Sequence, residues 1–374
     1  MRARYYSRLV LLRALAFAML FPAVVSAPAS AQPAPSFAPA LPGYEYSFPR
    51  DHGTHDEYKT EWWYYTGHFV AKSGKRYGFE LTFFRVGIEP PSATPPRTRW
   101  DLRDLSLAHF AITDVDGKAF RYYEKLNRSS PFTASQASGY LDVFNEGWRA
   151  STLADGAWRI VARGGADSLD LTLRTRKPPA VHGENGVSVK AEGVGYASHY
   201  YSMTRLEATG RVNGEEGHGL VWMDHEFGSS QLRESQSGWD WFSIQLDNET
   251  ELMLYQIRRR DGTADVTSSG SLVTADGNVI HLRHDQFRVE PAGKWRSAKS
   301  GATYPMGWRV SVPSFRIAVV LQPVLREQEL VTKSSTHVTY WEGAVTVEGS
   351  SDATAVQGEG YVEMTGYDRA FRAP

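Results

Sequence analysis

Residues 61–85 read EWWYYTGHFVAKSGKRYGFELTFFR, in which two runs of aromatic and apolar residues flank the pair Ser73-Gly74. Aromatic residues favour extended strands, and a polar residue followed by glycine favours a tight turn. The stretch therefore predicts a β-hairpin. Residues 238–259, GWDWFSIQLDNETELMLYQIRR, have the same plan of tryptophan-rich run, polar turn and second run ending in arginine. This repetition predicts two related β domains.

The rest of the chain is patterned in the same way. Short runs of alternating apolar and polar residues recur, and helical periodicity of useful length is almost absent. Closely spaced strands of this kind predict an all-β sandwich or barrel architecture, with the two domains meeting near residues 205–220. Turn signals separate the runs, among them Asp116-Gly117, Asn213-Gly214, Asp261-Gly262 and Asp276-Gly277.

The first 31 residues have the features of a secretory signal peptide. Arginines flank and interrupt the apolar run LVLLRALAFAMLFPAVV, and Ala29-Ser30-Ala31 supplies small residues for cleavage. We predict cleavage near Ala31 and a mature protein that is periplasmic or secreted. A retained membrane anchor is the alternative, although the uninterrupted apolar run is short for a span. Residues 32–43, QPAPSFAPALPG, are predicted to be a mobile Pro/Ala linker.

The composition restricts the chemistry. The formal net charge is −1, and removing the four arginines of the first 31 residues, which contain no acidic residue, gives −5. A mildly acidic chain without a basic stripe is not suited to nucleic acid, and we expect no such partner. The chain has no cysteine, which excludes disulfides, thiol nucleophiles and cysteine-bound metals. No glycine-rich phosphate loop and no serine nucleophile elbow are present.

Residues 219–230, GLVWMDHEFGSS, place three ionisable groups inside an apolar, aromatic run. If the run is a strand, its side chains alternate, so Trp222, Asp224 and Glu226 share one face while His225 lies on the other. Neither face is polar, so both are predicted to be buried. Burial raises the pKa of a carboxyl group, and a carboxyl that is neutral near pH 7 can act as a general acid.

Other interpretations of these residues stay open. The acids could be structural and pair with Arg205 or Arg233, since acids beside glycine often hold loops in place. His52 and His55 precede Glu61, and together with Asp224 they could bind zinc, although no regular ligand spacing supports this. His199 begins another strand and shares a face with Tyr201, where it could simply be a strand-end histidine that bonds a carbonyl group.

Several long motifs, in order along the chain, resemble the AttH-like, carotenoid 1,2-hydratase family of lipocalin-like proteins. The resemblance covers nearly all of residues 44–368, and its motifs are HDEYKTEWWYYTGHF, YGFELTFFR, HYYSMTRL, WMDHEFGS, GWDWFSIQL, YWEGAVTVEG and GYVEMTGY. It implies two tandem lipocalin-like β-barrel domains, at residues 44–210 and 211–374, with an apolar cavity at or between them. Members of the family add water across an isoprenoid double bond or guide the cyclisation of polyenes.

The resemblance also implies site residues. The hydratase pattern of a histidine followed two residues later by an aromatic falls on His199 and Tyr201. The pattern of an aromatic two residues before an aspartate falls on Trp222 and Asp224. The two aromatics differ from the hydratase order, in which tryptophan comes first and tyrosine second.

We therefore predict an exported protein that acts on a large apolar, isoprenoid or lipid-like ligand by acid catalysis, with no cofactor and no metal. Asp224 is the predicted acid, and His199 or Glu226 the base. A non-catalytic lipid carrier is the second reading, a secreted hydrolase is the third, and the resemblance allows a membrane permease complex as a partner. The remaining residues predicted to contact the ligand are Glu61, Trp63, Tyr201, Trp222, Trp239 and Trp241.

Overall fold

The computed structural model describes residues 36–91, 102–230 and 232–372. The predicted signal peptide, residues 1–31, lies outside these described residues. The fold is all-β, as predicted, because the described residues contain many strands, two single-turn 3-10 helices at Arg50–His52 and Pro313–Phe315, and no α-helix. No helix in the described ranges has the length and apolar character needed to cross a membrane.

The first sheet occupies the N-terminal part of the described chain. In space its strands follow the order β4-β3-β2-β1-β13-β12-β9-β8-β7-β6-β5, and two short strands, β10 and β11, also pair with β12. The strands are β1 (Thr60–Ala71), β2 (Arg76–Gly87), β3 (Asp104–Asp114), β4 (Ala119–Arg128), β5 (Ala134–Gln136), β6 (Asp142–Asn145), β7 (Trp148–Thr152), β8 (Trp158–Gly164), β9 (Asp167–Thr175), β10 (Ala180–Val181), β11 (Ser188–Val189), β12 (Ala197–Val212) and β13 (Glu215–Ser230).

The second sheet follows in the C-terminal part. Its order is β17-β16-β15-β14-β25-β24-β22-β21-β18, with β23 paired to β24, while β19 and β20 form a separate hairpin. The strands are β14 (Gln236–Leu246), β15 (Glu251–Arg259), β16 (Ser269–Val273), β17 (Val279–Arg283), β18 (Arg288–Pro291), β19 (Lys294–Arg296), β20 (Thr303–Pro305), β21 (Trp308–Val312), β22 (Ile317–Pro323), β23 (Glu329–Val331), β24 (Thr339–Ser351) and β25 (Thr354–Thr365).

The two sheets form two lipocalin-like barrels, as predicted. The first is nearly closed, and side chains bridge its seam: the Asn127 amide donates to Asn145 Oδ1 at 2.8 Å, and the Asn145 amide donates to the Ser106 carbonyl oxygen at 3.1 Å. The second sheet is a half-barrel. Each sheet encloses its own apolar core, built around Trp63 in the first and Trp308 in the second.

The chain leaves the first barrel after a long hairpin formed by β12 and β13. The turn residues Asn213 and Gly214 have φ angles of 52° and 80°, as a two-residue type I′ turn requires. This turn joins two strands of the same barrel. The predicted domain boundary at 210/211 therefore falls inside β12, and the chain passes to the second sheet between Ser230 and Gln236.

Residues 36–43, the described part of the predicted mobile linker, pack against the first barrel. The Ala38 N–H donates to the Glu57 carbonyl oxygen at 2.8 Å, and Ser229 Oγ donates to the Ala38 carbonyl oxygen at 2.5 Å. Ala40, within the same segment, is buried. The segment is ordered because both its backbone groups and its apolar side chains find partners on the barrel.

The outer faces of the two sheets also pack against each other. Gly78 of β2 meets Ala344 of β24 so closely that a Cβ added to Gly78 would lie 2.7 Å from the Ala344 Cβ, which is why glycine is needed at this position. Nearby, His68 Nε2 lies 2.9 Å from the Gly360 carbonyl oxygen. The contact creates a compartment between the sheets that is separate from both barrel interiors.

Candidate functional site

Strand β13 presents alternate side chains to two compartments. Trp222, Asp224 and Glu226 face the space between the sheets, whereas Met223 and His225 face the inside of the first barrel. All five side chains are buried. The structure thus has the predicted alternation and the predicted burial of both faces.

A partly open cavity lies between the outer faces of the two sheets. Asp224 and Glu226 reach it from β13, and aromatic residues from both sheets contribute much of its wall. The predicted ligand contacts Trp239 and Trp241 lie in this wall. The aromatic residues of the wall are Trp62 and Tyr64 of β1, Phe84 of β2, Tyr200 of β12, Trp239 and Trp241 of β14, Tyr255 of β15, Tyr340 of β24, and Phe371.

Three hydrogen-bond donors hold Asp224 at the cavity wall. The Tyr200 hydroxyl donates to Oδ2 at 2.5 Å, Trp222 Nε1–H donates to Oδ1 at 2.5 Å, and the Ser202 hydroxyl also donates to Oδ1. Burial raises the pKa of Asp224 to about 7, because the loss of water outweighs the three donors, and the charge of Glu226 adds to the rise. Both protonation states of this carboxyl are therefore accessible near neutral pH.

Tyr200 is the neighbour of Asp224 on the cavity side of β12. Its hydroxyl oxygen accepts a hydrogen bond from Trp241 Nε1–H at 3.0 Å while its proton points to Asp224. Burial, followed by the charge of Asp224, raises the pKa of Tyr200 well above its usual value, so the phenol stays protonated. Tyr200 can therefore pass a proton between Asp224 and a molecule in the cavity without becoming a stable anion.

Glu226 is paired with a largely buried cation. Lys190 Nζ lies 3.0 Å from Glu226 Oε1, and the Ser198 hydroxyl donates to the same oxygen. Burial lowers the pKa of Lys190, but attraction to Glu226 outweighs this and the pKa is raised overall. The ammonium group also lies 4.2 Å from the ring centre of Tyr255. Two carboxyls on one face of β13 are thus set in different environments, one without a cation contact and one beside a lysine.

Three further buried carboxyls belong to Glu80, Glu342 and Glu363. Burial is the largest cause of a raised pKa in all three, which reaches about 7 for Glu80 and about 8 for Glu363 and lies well above the usual value for Glu342. Glu80 and Glu363 line the cavity, and Glu342 accepts a hydrogen bond at 2.7 Å from the hydroxyl of Tyr64. At neutral pH much of this acidic surface carries protons.

A second polar network lies on the opposite face of β13, at the end of the first barrel. Glu61 Oε1 lies 2.8 Å from His55 Nδ1 and 2.9 Å from His225 Nε2, and Glu61 Oε2 accepts from Arg85 Nε at 3.1 Å. These bonds hold the pKa of Glu61 well below its usual value despite complete burial. His55, bonded to Asp51 and Glu61, has its pKa raised to about 9, although burial alone would lower it.

His55, Glu61 and His225 are also the group, among the described residues, with the geometry of a metal site. Their ligand atoms lie within 4.8 Å of one another, and all three side chains are buried. His225 Nδ1 lies 3.0 Å from the Asp51 carbonyl oxygen, and a metal-binding histidine commonly donates its other ring N–H to a carbonyl in this way. The same three groups already satisfy one another by hydrogen bonds, and Arg85 balances the carboxylate.

The structure separates the predicted site residues into two groups. Five of them meet at the cavity or in the apolar cluster that packs against its wall: Asp224, Glu226, Trp222, Trp239 and Trp241. His199, Tyr201 and Trp63 instead lie on the barrel side of their strands and do not line the cavity. Glu61 borders the cavity, but its carboxylate bonds His55 and His225.

Each of the displaced residues has other partners. His199 Nδ1 lies 2.8 Å from the Gly186 carbonyl oxygen, as the alternative reading of this histidine expects, and Tyr201 lies 2.7 Å from His52 Nδ1. Trp63 is stacked on His225 with ring centres 4.7 Å apart.

Asp224 bonds none of the suggested salt-bridge or zinc partners, although His55 and Glu61 of the suggested zinc set do meet each other. Arg205 bonds Glu251 Oε1 at 2.5 Å, and His52 and His55 lie on the barrel side of the sheet, away from Asp224.

Sequence reasoning missed Tyr200, Ser202 and Lys190 around the two acids, and Glu80 and Glu363 on the cavity wall. Tyr200 and Ser202 each follow one of the predicted residues, His199 and Tyr201, in the chain. The motif therefore lies beside Asp224, but the alternate residues of the strand face the cavity. Glu363 lies in the motif GYVEMTG, whose single acidic residue in an apolar strand was the available signal.

Comparison with known proteins gives the following. A family model described as AttH-like matches residues 39–367. The crystal structure of a candidate AttH protein from Nitrosomonas europaea is similar with a TM-score of 0.77 and 33% identity, over 88% of this chain and 100% of that chain. A search of the curated proteins finds no match.

More distant structures share the fold. Kievitone hydratase from Nectria haematococca is similar with a TM-score of 0.66 and 16% identity, over 89% of this chain and 96% of that one. The protein CghA with the compound Sch210972 is similar with a TM-score of 0.52 and 14% identity, over 88% of this chain and 95% of that one. At these identities the likeness is one of architecture.

Proposed function

Because the chain belongs to the AttH-like family, we propose that it is a cofactor-independent hydratase that adds water to an alkene of a large apolar, isoprenoid-like ligand held between the two sheets. The observation that carries the proposal is Asp224, a carboxyl with its pKa raised to about 7 in an aromatic-walled cavity. An acid of this kind can protonate a weakly basic alkene at neutral pH, which an ordinary surface aspartate cannot do.

In the first step, a proton passes to one alkene carbon. When Asp224 is protonated, its Oδ2 donates to the Tyr200 oxygen 2.5 Å away and the Tyr200 hydroxyl turns to the alkene. The two protons then move together, from Asp224 to Tyr200 and from Tyr200 to the alkene, so that no tyrosinate forms. The C=C π pair forms the new C–H bond, Asp224 becomes a carboxylate, and the more substituted carbon becomes a cation. The faces of Trp62, Trp239 and Trp241 stabilise this cation, since aromatic rings carry negative charge on their faces.

In the second step, water adds to the cation and loses a proton. Glu226, whose Oε1 lies 3.0 Å from Lys190 Nζ, is the base that takes this proton. A proton then returns from Glu226 to Asp224, and the two carboxyls are about 6.5–7 Å apart along one strand face, a gap that one water can bridge. The net change is alkene plus water to tertiary alcohol, with no electron donor or acceptor.

The comparisons support this chemistry by analogy. Kievitone hydratase has this architecture, and its name describes an enzyme that adds water to its substrate. We also propose that the protein is exported after cleavage near Ala31, on the strength of its N-terminal sequence.

A lipid carrier is the second candidate function, and the apolar lining of the cavity favours it. A cavity lined mainly by apolar surface can hold a lipid-like ligand without any reaction. A carrier needs no proton donor, so the role of Asp224 distinguishes the two functions.

The test is incorporation of heavy oxygen. The purified protein is incubated in heavy-oxygen water with lycopene, squalene or farnesol, and the products are examined by mass spectrometry. We expect one labelled hydroxyl per hydrated double bond with the wild type and none with Asp224→Asn. Bound but unlabelled lipid in the wild type would contradict the hydratase and support the carrier.

A matched control is Asp170→Asn. Asp170 is an exposed aspartate on β9 that pairs with Arg159 at 2.7 Å, far from the cavity lining. It changes the same charge without touching Asp224, so this variant is expected to keep wild-type labelling.

A further inference from the structure

Glu80, at the cavity wall, and two residues near it have buried polar atoms with no hydrogen-bond partner among the described residues. These are Glu80 Oε2, Glu342 Oε2 and Thr66 Oγ1. Thr66 and Glu80 are directly opposite each other on β1 and β2, so the two side chains share one spot on the sheet. A buried polar atom without a partner costs about 1–3 kcal/mol, and several together are rare in a native structure.

Glu80 is the member of this set that lines the cavity. Its Oε1 accepts from Thr82 at 2.7 Å and from the Tyr340 hydroxyl at 3.3 Å, so only Oε2 is left over. The side chain is 1% exposed.

We propose that Glu80 forms a second subsite that binds a hydroxyl or carbonyl oxygen of the ligand, so that the ligand is an oxygenated isoprenoid rather than a hydrocarbon. This inference rests on the cavity assigned under the proposed function and specifies its substrate class. The carboxyl group donates its Oε2 proton to the ligand oxygen, and the ligand supplies the partner that the protein lacks.

The neighbourhood favours a neutral carboxyl and therefore an acceptor oxygen on the ligand. Glu342 and Glu363 face each other as a cross-strand pair on β24 and β25 and both lie close enough to interact with Glu80. Three ionised carboxylates at this place would repel one another, and burial penalises each charge. A ligand ammonium group would require the ionised forms, so it is the alternative that the test must exclude.

The register of the strands gives the spacing between the two ends of the site. Asp224 is opposite Tyr64, Tyr64 is opposite Thr82, and Glu80 is the next residue on the same face of β2. Two strand spacings and one two-residue step correspond to about 12 Å between the α-carbons of Asp224 and Glu80. The reacting double bond and the ligand oxygen are expected to be separated by a comparable length of carbon chain.

The test compares three probes with one C15 chain and different ends: farnesol, farnesylamine and farnesene. Dissociation constants are measured by quenching of tryptophan fluorescence, which needs no turnover. The wild type should bind farnesol about fivefold more tightly than farnesene, as one net hydrogen bond provides. Glu80→Leu should abolish this preference, while Glu80→Gln, whose amide still donates, should keep most of it.

Controls and contrary outcomes follow from the same probes. Glu348→Leu, an exposed glutamate of β24, should keep the wild-type preference. Thermal melting of each variant shows whether it is folded. Equal binding of farnesol and farnesene, a farnesol preference that survives Glu80→Leu, or tightest binding of farnesylamine would each overturn the subsite.

This outcome is separable from the hydratase test. If heavy oxygen is never incorporated but the Glu80-dependent preference is found, the proposed reaction fails and the subsite stands. If hydrocarbons are labelled with heavy oxygen and no preference is found, the reaction stands and the subsite fails.

Discussion

Replacing Asp224 by asparagine should stabilise the protein at neutral pH. The folded pKa of Asp224 is about 7, above an unfolded value of about 3.9. The folded state therefore binds the proton more tightly, so the contribution of this group is fully favourable below about pH 3.9 and is lost as pH rises toward 7. Asparagine does not titrate and escapes this loss.

The folded pKa of Asp224 lies about three pH units above its unfolded pKa, and each unit corresponds to 1.36 kcal/mol in the free energy of unfolding. The loss in the wild type is about 1.5 kcal/mol at pH 5 and reaches about 4 kcal/mol above pH 7, which is an upper limit because neighbouring carboxyls titrate with it. The asparagine oxygen can still accept from Trp222 and Ser202, and its amide can face the Tyr200 oxygen. We expect a net gain of about 1–3 kcal/mol at pH 8.

The assay is thermal melting of the wild type and Asp224→Asn at pH 5 and pH 8, with Asp170→Asn as control. The Asp224→Asn variant should melt higher at pH 8, and the difference should shrink at pH 5, while the control follows the wild type. A variant that melts lower than the wild type at pH 8, with the gap closing toward acid pH, would mean that Asp224 is a charged structural residue, and the reasoning would be refuted.

Three other predictions concern the surrounding groups. Tyr200→Phe should lower turnover about 10²- to 10⁴-fold with ligand binding retained, since the phenol hands over the proton, and unchanged turnover would show direct transfer from Asp224. Glu61→Gln should lower the free energy of unfolding, measured by chemical denaturation, by about 3 kcal/mol, because Arg85 and the two histidines lose a buried carboxylate partner. A decrease below about 1 kcal/mol would contradict a buried, charged Glu61. The melting temperature should be the same in EDTA and in added Zn²⁺, and a drop in EDTA would instead show that His55, Glu61 and His225 hold an ion.

The fold and one half of the site could be predicted because they depend on local alternation. The period-2 pattern of β13 was enough to place Trp222, Asp224 and Glu226 together, and the turn signal Asn213-Gly214 marks the hairpin. Local pattern does not say whether a hairpin joins two barrels or lies within one. For this reason the domain boundary was predicted at residue 210, whereas the chain changes sheet only after Ser230.

The placement of His199 and Tyr201 was lost to a single irregularity in β12. Leu206 is opposite Val221, and an uninterrupted register from there would set Met203 opposite Asp224, with Tyr201 and His199 on the cavity face. The bulge between Met203 and Leu206 sets Met203 opposite Met223 instead. A one-residue slip moves every side chain to the other face, so Tyr200 and Ser202 reach Asp224 in place of the predicted pair. Backbone irregularities of this kind leave little trace in the residue types.

The walls of the cavity come from the outer faces of two different sheets, and this makes the acidity of Asp224 a property of their docking. Trp241 of β14 completes the cover over Tyr200, which in turn covers Asp224. If the sheets separate, water reaches the carboxyl and its pKa returns toward the ordinary value. The pKa of Asp224, followed under pressure or in denaturant, therefore reports on an equilibrium between docked and undocked sheets. Any molecule that fills the cavity shifts that equilibrium toward the docked form, in which the pKa of Asp224 is raised.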